Sequence, residues 1–562
     1  MRRFLKEAEE YFNVDGALGN IADITKFHRI QGSKELVEAA KYILEELWLL
    51  GMKAELLEDT YDGERLHLTL KSPIAWDVIE GFVEINGKKL TTLKTPLVVM
   101  AHSPSGEAEG EVVLIESEDE WEKAKGKIVL VGKEWRENYE KANKNGAIGF
   151  IIYKKGSGKA IPYVGLFLTK KDLEWAKIPA VAISEEWAEE IIAKLKKGEK
   201  VEAKIKTVTE IREKQTLPIV YAEIGKAPYI LFTAHICHPT PGANDNASGS
   251  GLLLEIARVL NNLYNEEFRF GFAFLWVPEY HGSQAFIEKF AKLENYYVSM
   301  NLDMVGGSED RTNSTLMLIK TPLSRFSIVN GLLEYFVNLL NSQGKSFGGE
   351  ALPKLKFKAY SYEAGSDHDV LNFFGVPSLM LITWPDNYYH TSEDSLEKLS
   401  KDSLEIVGKS IVATVLALAK AERSELKRFV RGYIMKYLGE LGLDRDIEVS
   451  EKLIMSGLLR DSKFLGVNLG HEFKPNPWLR WERKGIISVK AIKEIDEEVA
   501  EELRKLFKDS KIYHIYELLM LGEALPKEES FKALEEEFGK IEREKLEKVL
   551  ELLSRIGFVS FV

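Results

Sequence analysis

The sequence predicts an α/β protein whose main body is a doubly wound, mostly parallel sheet. Four runs carry the first part of that expectation: Tyr229 to Ala234, Phe270 to Val277, Tyr297 to Leu302 and Val376 to Thr383. They are short and almost wholly apolar or small, as strands buried on both faces are. Stretches of helical spacing lie between them, starting with Leu252 to Leu260, so strand and helix alternate as such a sheet requires. The third observation is that polar residues able to do chemistry stand where the runs stop. Open α/β sheets hold their ligands at the carboxyl ends of strands.

Taken in order, residues 18 to 50 read as helices. Ser33 is an N-cap after Gln31-Gly32, and Leu36, Ala39, Ala40, Ile43, Leu44 and Leu47 recur at helical spacing. Gly51 stops that helix and Met52 to Glu58 begins a strand. Between 73 and 213 the texture changes to short strands, turns and Lys/Glu-rich helices without a dense histidine or aspartate cluster. Its strands are Gly126 to Val131, Phe150 to Tyr153 and Ile178 to Ser184, with a helix through Tyr139 and Ala142. Alternation resumes at 216 and runs to 424. From 425 to 562 the chain is helical and charged, ending in three helices and the short strand of Gly557 to Phe561, a winged-helix-like layout. Glu535, Glu536 and Glu537 suit DNA poorly, so this part is expected to serve interaction or dimerisation.

The expected domains are thus 1–72 with 216–424, an insertion at 73–213, and a mainly helical region at 425–562. At 562 residues the chain is too long for one core. A net charge of −12 disfavours nucleic-acid binding. The N-terminal stretch has a basic start but no continuous apolar core, which argues against a signal peptide, and no run suits a bilayer span. Cys237, the one cysteine, excludes an intrachain disulfide and fits a cytoplasmic location. Abundant Lys and Glu with scarce Gln lean towards a heat-adapted source.

The strand ends deliver a chemical inventory. His235 closes the first run, and Asn244-Asp245-Asn246 follows in a Pro/Gly-bounded loop before the next helix. Pro278-Glu279 closes the second run, Asp303 the third, and Tyr389-His390-Thr391 lies just past the fourth. Any one of these suits a hydrogen-bonded loop. Together, two imidazoles and three carboxylates, one able to bridge, are the donors of a two-zinc hydrolase site.

The order of His235, GANDNASG, E-x-x-GS, NLDMVG, GSDHD and YHTSEDS resembles the zinc exopeptidases of the bacterial leucyl aminopeptidase and glutamate carboxypeptidase type. Phe27-His28-Arg29-Ile30-Gln31-Gly32-Ser33 looks like that family's opening segment, and the likeness covers roughly the first 425 residues outside the insertion. GKIVLV, KNGAIGFIIY and IPAVAIS resemble the protease-associated domain inserted in several such peptidases, where it usually frames the substrate cleft. The resemblance implies the zinc exopeptidase fold with His235, Asp245 as bridge, Glu279, Asp303 and His390 as metal ligands. Two zinc ions are expected, with cobalt or manganese as substitutes, and a peptide as substrate.

Two departures stand out. The family usually has two consecutive glutamates, base then ligand, where this chain has Pro278-Glu279 and a loop two residues shorter. Glu279 is therefore ligand or base, and Glu363 is the nearest other carboxylate by motif position for the proton-carrying role. His235-Ile236-Cys237-His238 replaces the usual His-x-Asp, so Cys237 stands where an aspartate orients the ligand, and His238 is a supporting group or an alternative ligand. A related aminopeptidase-like subgroup with a C-terminal winged-helix-like domain shows similar HICHP and PE-x-x-GS patterns. His368 is expected to bond locally, and Asp394 is either a partner of the active-site groups or a helix cap. The leading expectation is a two-zinc aminopeptidase. A zinc carboxypeptidase or amidohydrolase on the same fold, and a non-catalytic metal-binding interaction protein, are the alternatives.

Overall fold

The computed structural model describes residues 1–562 apart from 350, 444, 509 and 510. Its centre is an eight-stranded sheet: β1 (Lys53–Tyr61), β2 (Gln215–Ile224), β3 (Tyr229–His235), β4 (Gly271–Val277), β5 (Tyr296–Leu302), β6 (Thr315–Ile319), β7 (Phe357–Tyr360) and β8 (Ser378–Trp384). Their spatial order is β1-β2-β4-β3-β5-β8-β6-β7. The middle of the sheet, β4-β3-β5-β8, is parallel throughout. β1 and β2 close one side antiparallel, and β6 runs antiparallel to β8 on the other. Every residue of β3, β4 and β5 is buried, as their unbroken apolar runs require.

Helices cover the sheet. Lys34–Leu49 begins at Ser33, whose Oγ accepts from Leu36 N, and turns Leu36, Ala40, Ile43, Leu44 and Leu47 into the core. Gly249–Leu263 packs against Val14–Ile24, Lys34–Leu49 and Lys401–Lys420. Gly251 is needed there, since a Cβ would lie 2.7 Å from the Ile21 backbone nitrogen.

A second sheet of seven strands lies within residues 75–212, in the order Lys88–Thr91, Ala75–Ile85, Glu202–Arg212, Gly106–Leu114, Ile128–Val131, Gly149–Ile152, Ala180–Ala182. It has a hydrophobic core of its own, centred on residues such as Trp76, Leu130, Phe150 and Val181. The C-terminal helices, among them Ile512–Gly522, Lys527–Phe538 and Arg543–Arg555, belong instead to the continuous core of the main sheet. The final strand Val559–Phe561 pairs antiparallel with Leu479–Trp481. Among the described residues no helix is long and apolar enough to cross a membrane.

Candidate metal centre

Ladder register brings the strand-end residues together. His235 lies opposite Val277 of β4, so Glu279 follows two residues past that level. Thr233 lies opposite Asn301 of β5, which sets Asp303 level with His235. The loops then bend sharply. His238, Tyr280, Met304 and His390 have φ between 53° and 115°. Non-glycine residues enter that region at a cost of about 1–3 kcal/mol, and such costs concentrate at functional sites.

Asp245 sits in the middle of the cluster. Its Oδ1 is 3.4 Å from His235 Nε2, and its Oδ2 is 3.1 Å from His390 Nε2 and 3.6 Å from His238 Nε2. Asp303 Oδ1 is 3.2 Å from His235 Nε2, while Glu279 Oε2 is 3.9 Å from His238 Nε2. The donor atoms form compact sets, each within 4.8 Å: His235 with Asp245 and Asp303; His238 with Asp245 and His390; His235 with Cys237, His238 and Glu279. Although imidazoles surround it, buried Asp245 Oδ2 accepts no hydrogen bond. A buried carboxylate oxygen rarely goes unpaired. Nitrogen and oxygen lone pairs converging on shared points are what a divalent transition metal needs, so the residues present fit such an ion.

The surrounding bonds fix these donors. Asp394 accepts from Asn244 N at 2.8 Å through Oδ1 and from Asp245 N at 2.9 Å through Oδ2. It is thus a partner of the site rather than a helix cap. Burial pushes the Asp394 carboxyl up to about 8 against the pull of those two donors. Asn244 Nδ2 donates to Asp386 Oδ2 at 2.8 Å, and Asn246 Nδ2 donates to Leu302 O at 2.9 Å. Buried Arg29 donates to the carbonyls of Ile236 and Gly242, tying the opening segment to the loop between His235 and Asp245. Gln31 Nε2 donates to Glu279 O at 3.2 Å. Cys237 Sγ lies 3.7 Å from His235 Nδ1 and accepts from Glu279 N at 3.2 Å, so it stands beside the ligand-facing ring as its position suggested.

Burial opposes charge on His235, but Asp303 and Glu279 outweigh it and raise its pKa well above the usual value. Burial raises Glu279 well above the carboxylate range and lowers His238 to about 3, leaving a neutral imidazole.

His235, His238, Asp245, Glu279 and Asp303 line a cavity of about 320 Å³. Met317, Ile319, Met380, Ile382 and Trp384 make an apolar wall, and Glu363 with Ala364 and Gly365 lines it as well. Glu363 thus shares the cavity without entering any of the donor sets. His368 Nε2 contacts Glu363 O at 2.9 Å, the local bond expected of it. Among the described residues no lysine or arginine lines this space.

Two contributors escape sequence reasoning. Buried Asp367 accepts from Tyr280 N at 2.8 Å and from Ser283 Oγ, holding the turn after Glu279. Tyr163, from the second sheet's region, donates its N–H to His390 O at 2.7 Å. Its ring stands edge-on to both His238 and His390, with centroids 5.6 and 5.2 Å away. The GSDHD motif pointed to the neighbourhood of Asp367, whereas Tyr163 sits in a stretch, AIPYVG, that carries no chemical signal.

Residues 219–415 match Peptidase family M28, and residues 93–191 match the PA domain. Aminopeptidase YwaD of Bacillus subtilis (strain 168) is 29% identical over 323 residues, 53% of this chain and 64% of that protein. The chain thus spans just under two thirds of that relative's length. The solved structure of BSAP, a zinc aminopeptidase from Bacillus subtilis, shares 21% identity and covers 73% of this chain and 96% of its own, with a TM-score of 0.52. A solved structure from Clostridium acetobutylicum shares 14% identity with a TM-score of 0.52 over 100% of this chain and 99% of its own, so the C-terminal helices are part of a fold seen before. On these matches residues 219–415 are similar to Peptidase family M28, and residues 93–191, ahead of them, to the PA domain.

Proposed function

We propose that the chain is a zinc-dependent aminopeptidase that removes N-terminal residues from peptides. The observation that carries this is the lining of the cavity: beyond the metal donors it offers Glu363 and an apolar wall, and no described lysine or arginine. Such a lining can pair Glu363 with the ammonium of a free amino terminus and has no lysine or arginine to hold the carboxylate that a carboxypeptidase binds. The relatives named aminopeptidase support the same reading.

His235, Asp245, Asp303 and His390 would hold the metal, with Asp245 offering one oxygen to each side of the cluster. A zinc ion held there would supply Lewis acidity towards the scissile carbonyl and would lower the pKa of water. The chain's own groups do the rest. Asp394, Asn244 and Asn246 keep Asp245 from turning away. Glu279, whose carboxylate lies beside His238 and lines the cavity, is placed for either of two roles, donor or proton carrier. Glu363, on the cavity wall, is the second carboxylate able to hold a proton or steady the substrate amine. The Met317, Ile319, Met380, Ile382 and Trp384 wall suits an apolar side chain at the residue released.

The test is a substrate panel on zinc-loaded protein. Leucyl peptides with a free amine and an amidated carboxyl end should be cleaved, and N-acetylated ones should resist. Release of C-terminal residues from N-blocked peptides would overturn the reading. Asp303→Ala and His390→Ala should lose both bound zinc and hydrolysis, because few protein ligands hold each ion.

A further inference from the structure

His238 is the one imidazole at the cluster that the strand-end pattern did not enlist as a ligand. Its Nδ1 lies 2.8 Å from the Cys237 carbonyl, and this contact assigns the ring proton to Nδ1. The lone pair is then on Nε2, which lies 3.1 Å from His390 Nε2 and 3.6 Å from Asp245 Oδ2. A metal-binding histidine shows this pattern: the far nitrogen donates to a carbonyl and thereby fixes the ring. The side chain is 8% exposed and its backbone holds φ at 115°, an uncommon conformation kept where function requires it.

Glu279 is arranged differently. Its donor atoms group with those of His235, Cys237 and His238 but in no set with Asp245, Asp303 or His390. Its side chain is 22% exposed, against 4% for Asp245 and 7% for Asp303. Its backbone is clamped by Cys237 Sγ and Gln31 Nε2, while the carboxylate is left to face the cavity.

We propose that His238 is a metal ligand, so that His238, Asp245 and His390 surround one ion and His235, Asp245 and Asp303 the other, with Glu279 left free as the proton carrier. This rests on the metallopeptidase reading above and deepens it. The short Pro278-Glu279 turn and the histidine that follows Cys237 are then linked departures. One removes a glutamate from the usual pair, and the other supplies the donor that lets the remaining glutamate leave the metal.

Zinc per chain, measured by mass spectrometry after dialysis, tests the assignment together with the visible spectrum of cobalt-loaded protein. Wild type is expected to hold two ions, His238→Ala one with an altered cobalt spectrum, and Glu279→Gln two with an unaltered spectrum. Turnover of Glu279→Gln should fall by about 10²–10⁴, the usual worth of a positioned base. Melting of the EDTA-stripped proteins guards against misfolding: stripped His238→Ala should melt with stripped wild type and gain less on adding zinc. If the alanine variant is already unstable without metal, His238→Gln, which keeps the volume but is a weak zinc donor, gives the same measurement. Two ions and an unchanged spectrum in the His238 variants overturn this proposal and leave the aminopeptidase reading standing. One ion in Glu279→Gln also overturns it. A wild type that takes up no metal overturns both.

Discussion

The insert packs Trp76, Leu130, Phe150 and Val181 into a core that excludes the main sheet, whereas Leu426, Leu458, Leu519 and Val549 of the C-terminal helices lie in one core with it. Yet the insert is the region that reaches the site. Tyr163 N bonds His390 O, and Ile161 and Ser392 exchange two bonds, Ile161 N to Ser392 Oγ at 3.0 Å and Ser392 N to Ile161 O at 2.9 Å. The C-terminal helices join through buried groups such as Glu517, whose carboxylate accepts from Ser324 N and Oγ at 2.8 Å each. A shared core couples a region to global stability. A few directed bonds onto one loop couple it to the geometry of that loop. The two additions to the sheet therefore carry different duties, and mutations should separate them.

The largest separation is expected at Tyr163. Its ring packs against His238 and His390. Losing a group that orients metal donors typically costs 10- to 100-fold in affinity. Tyr163→Ala should weaken zinc binding by about that factor in competition with a chromogenic chelator, and Tyr163→Phe, which keeps the ring, should restore it. The metal-free melting temperature should move far less, because Tyr163 lies outside the core of the main sheet. If the alanine variant kept full zinc affinity, the insert would be a passenger beside the site.

The sheet and its donors were legible because buried parallel strands need unbroken apolar runs, and a polar residue ending such a run has one place to go. His235, Asp303 and Glu279 were therefore readable one at a time, and ladder register made them neighbours. Asp394 was ambiguous because its partners, Asn244 and Asp245, lie about 150 residues away in sequence, and nothing local to YHTSEDS reveals them. Tyr163 was invisible for the same reason, with an apolar setting besides. The C-terminal helices gave their type but not their attachment. Charged outer faces, such as that of Glu497–Phe507, look alike whether the inner face meets a separate core or a shared one. Frames of secondary structure follow from local pattern, while support of a site comes from contacts distant in sequence.

A middle-sized effect, on stability alone, is expected at Glu517. Burial pushes its carboxyl up to about 7 from an ordinary value of 4.5, against the Ser324 bonds that favour the charge. An acid whose folded pKa is raised holds its proton longer in the folded chain than in the unfolded one. Folding is then unpenalised below pH 4.5, loses stability between about 4.5 and 7, and stays at the lower level above. Glu517→Gln keeps an oxygen for Ser324 N and an amide that the Ser324 hydroxyl accepts from, and it removes the ionisation. The variant should melt with wild type at pH 4.5 and above it at pH 8, with zinc affinity unchanged. A zinc affinity that moved with Glu517 would join the two regions that the cores keep apart.

The smallest effect, and the sharpest division within the insert's own contact, is expected at Ser392. Ser392→Ala removes the oxygen that accepts from Ile161 N and leaves the reverse bond, Ser392 N to Ile161 O, in place. One net hydrogen bond is worth about 0.5–1.5 kcal/mol. Only the part that shifts the loop reaches His390, two residues away, so zinc affinity should fall by no more than about threefold, near 0.7 kcal/mol on the same scale. The Tyr163 ring touches the donors themselves and has no such dilution. If Ser392→Ala cost as much as Tyr163→Ala, the coupling would run through the paired backbone of 161–163 and 390–392, and the ring would only fill space. If it cost nothing while Tyr163→Ala cost tenfold or more, the insert acts on the site through one aromatic side chain held in place by its neighbours.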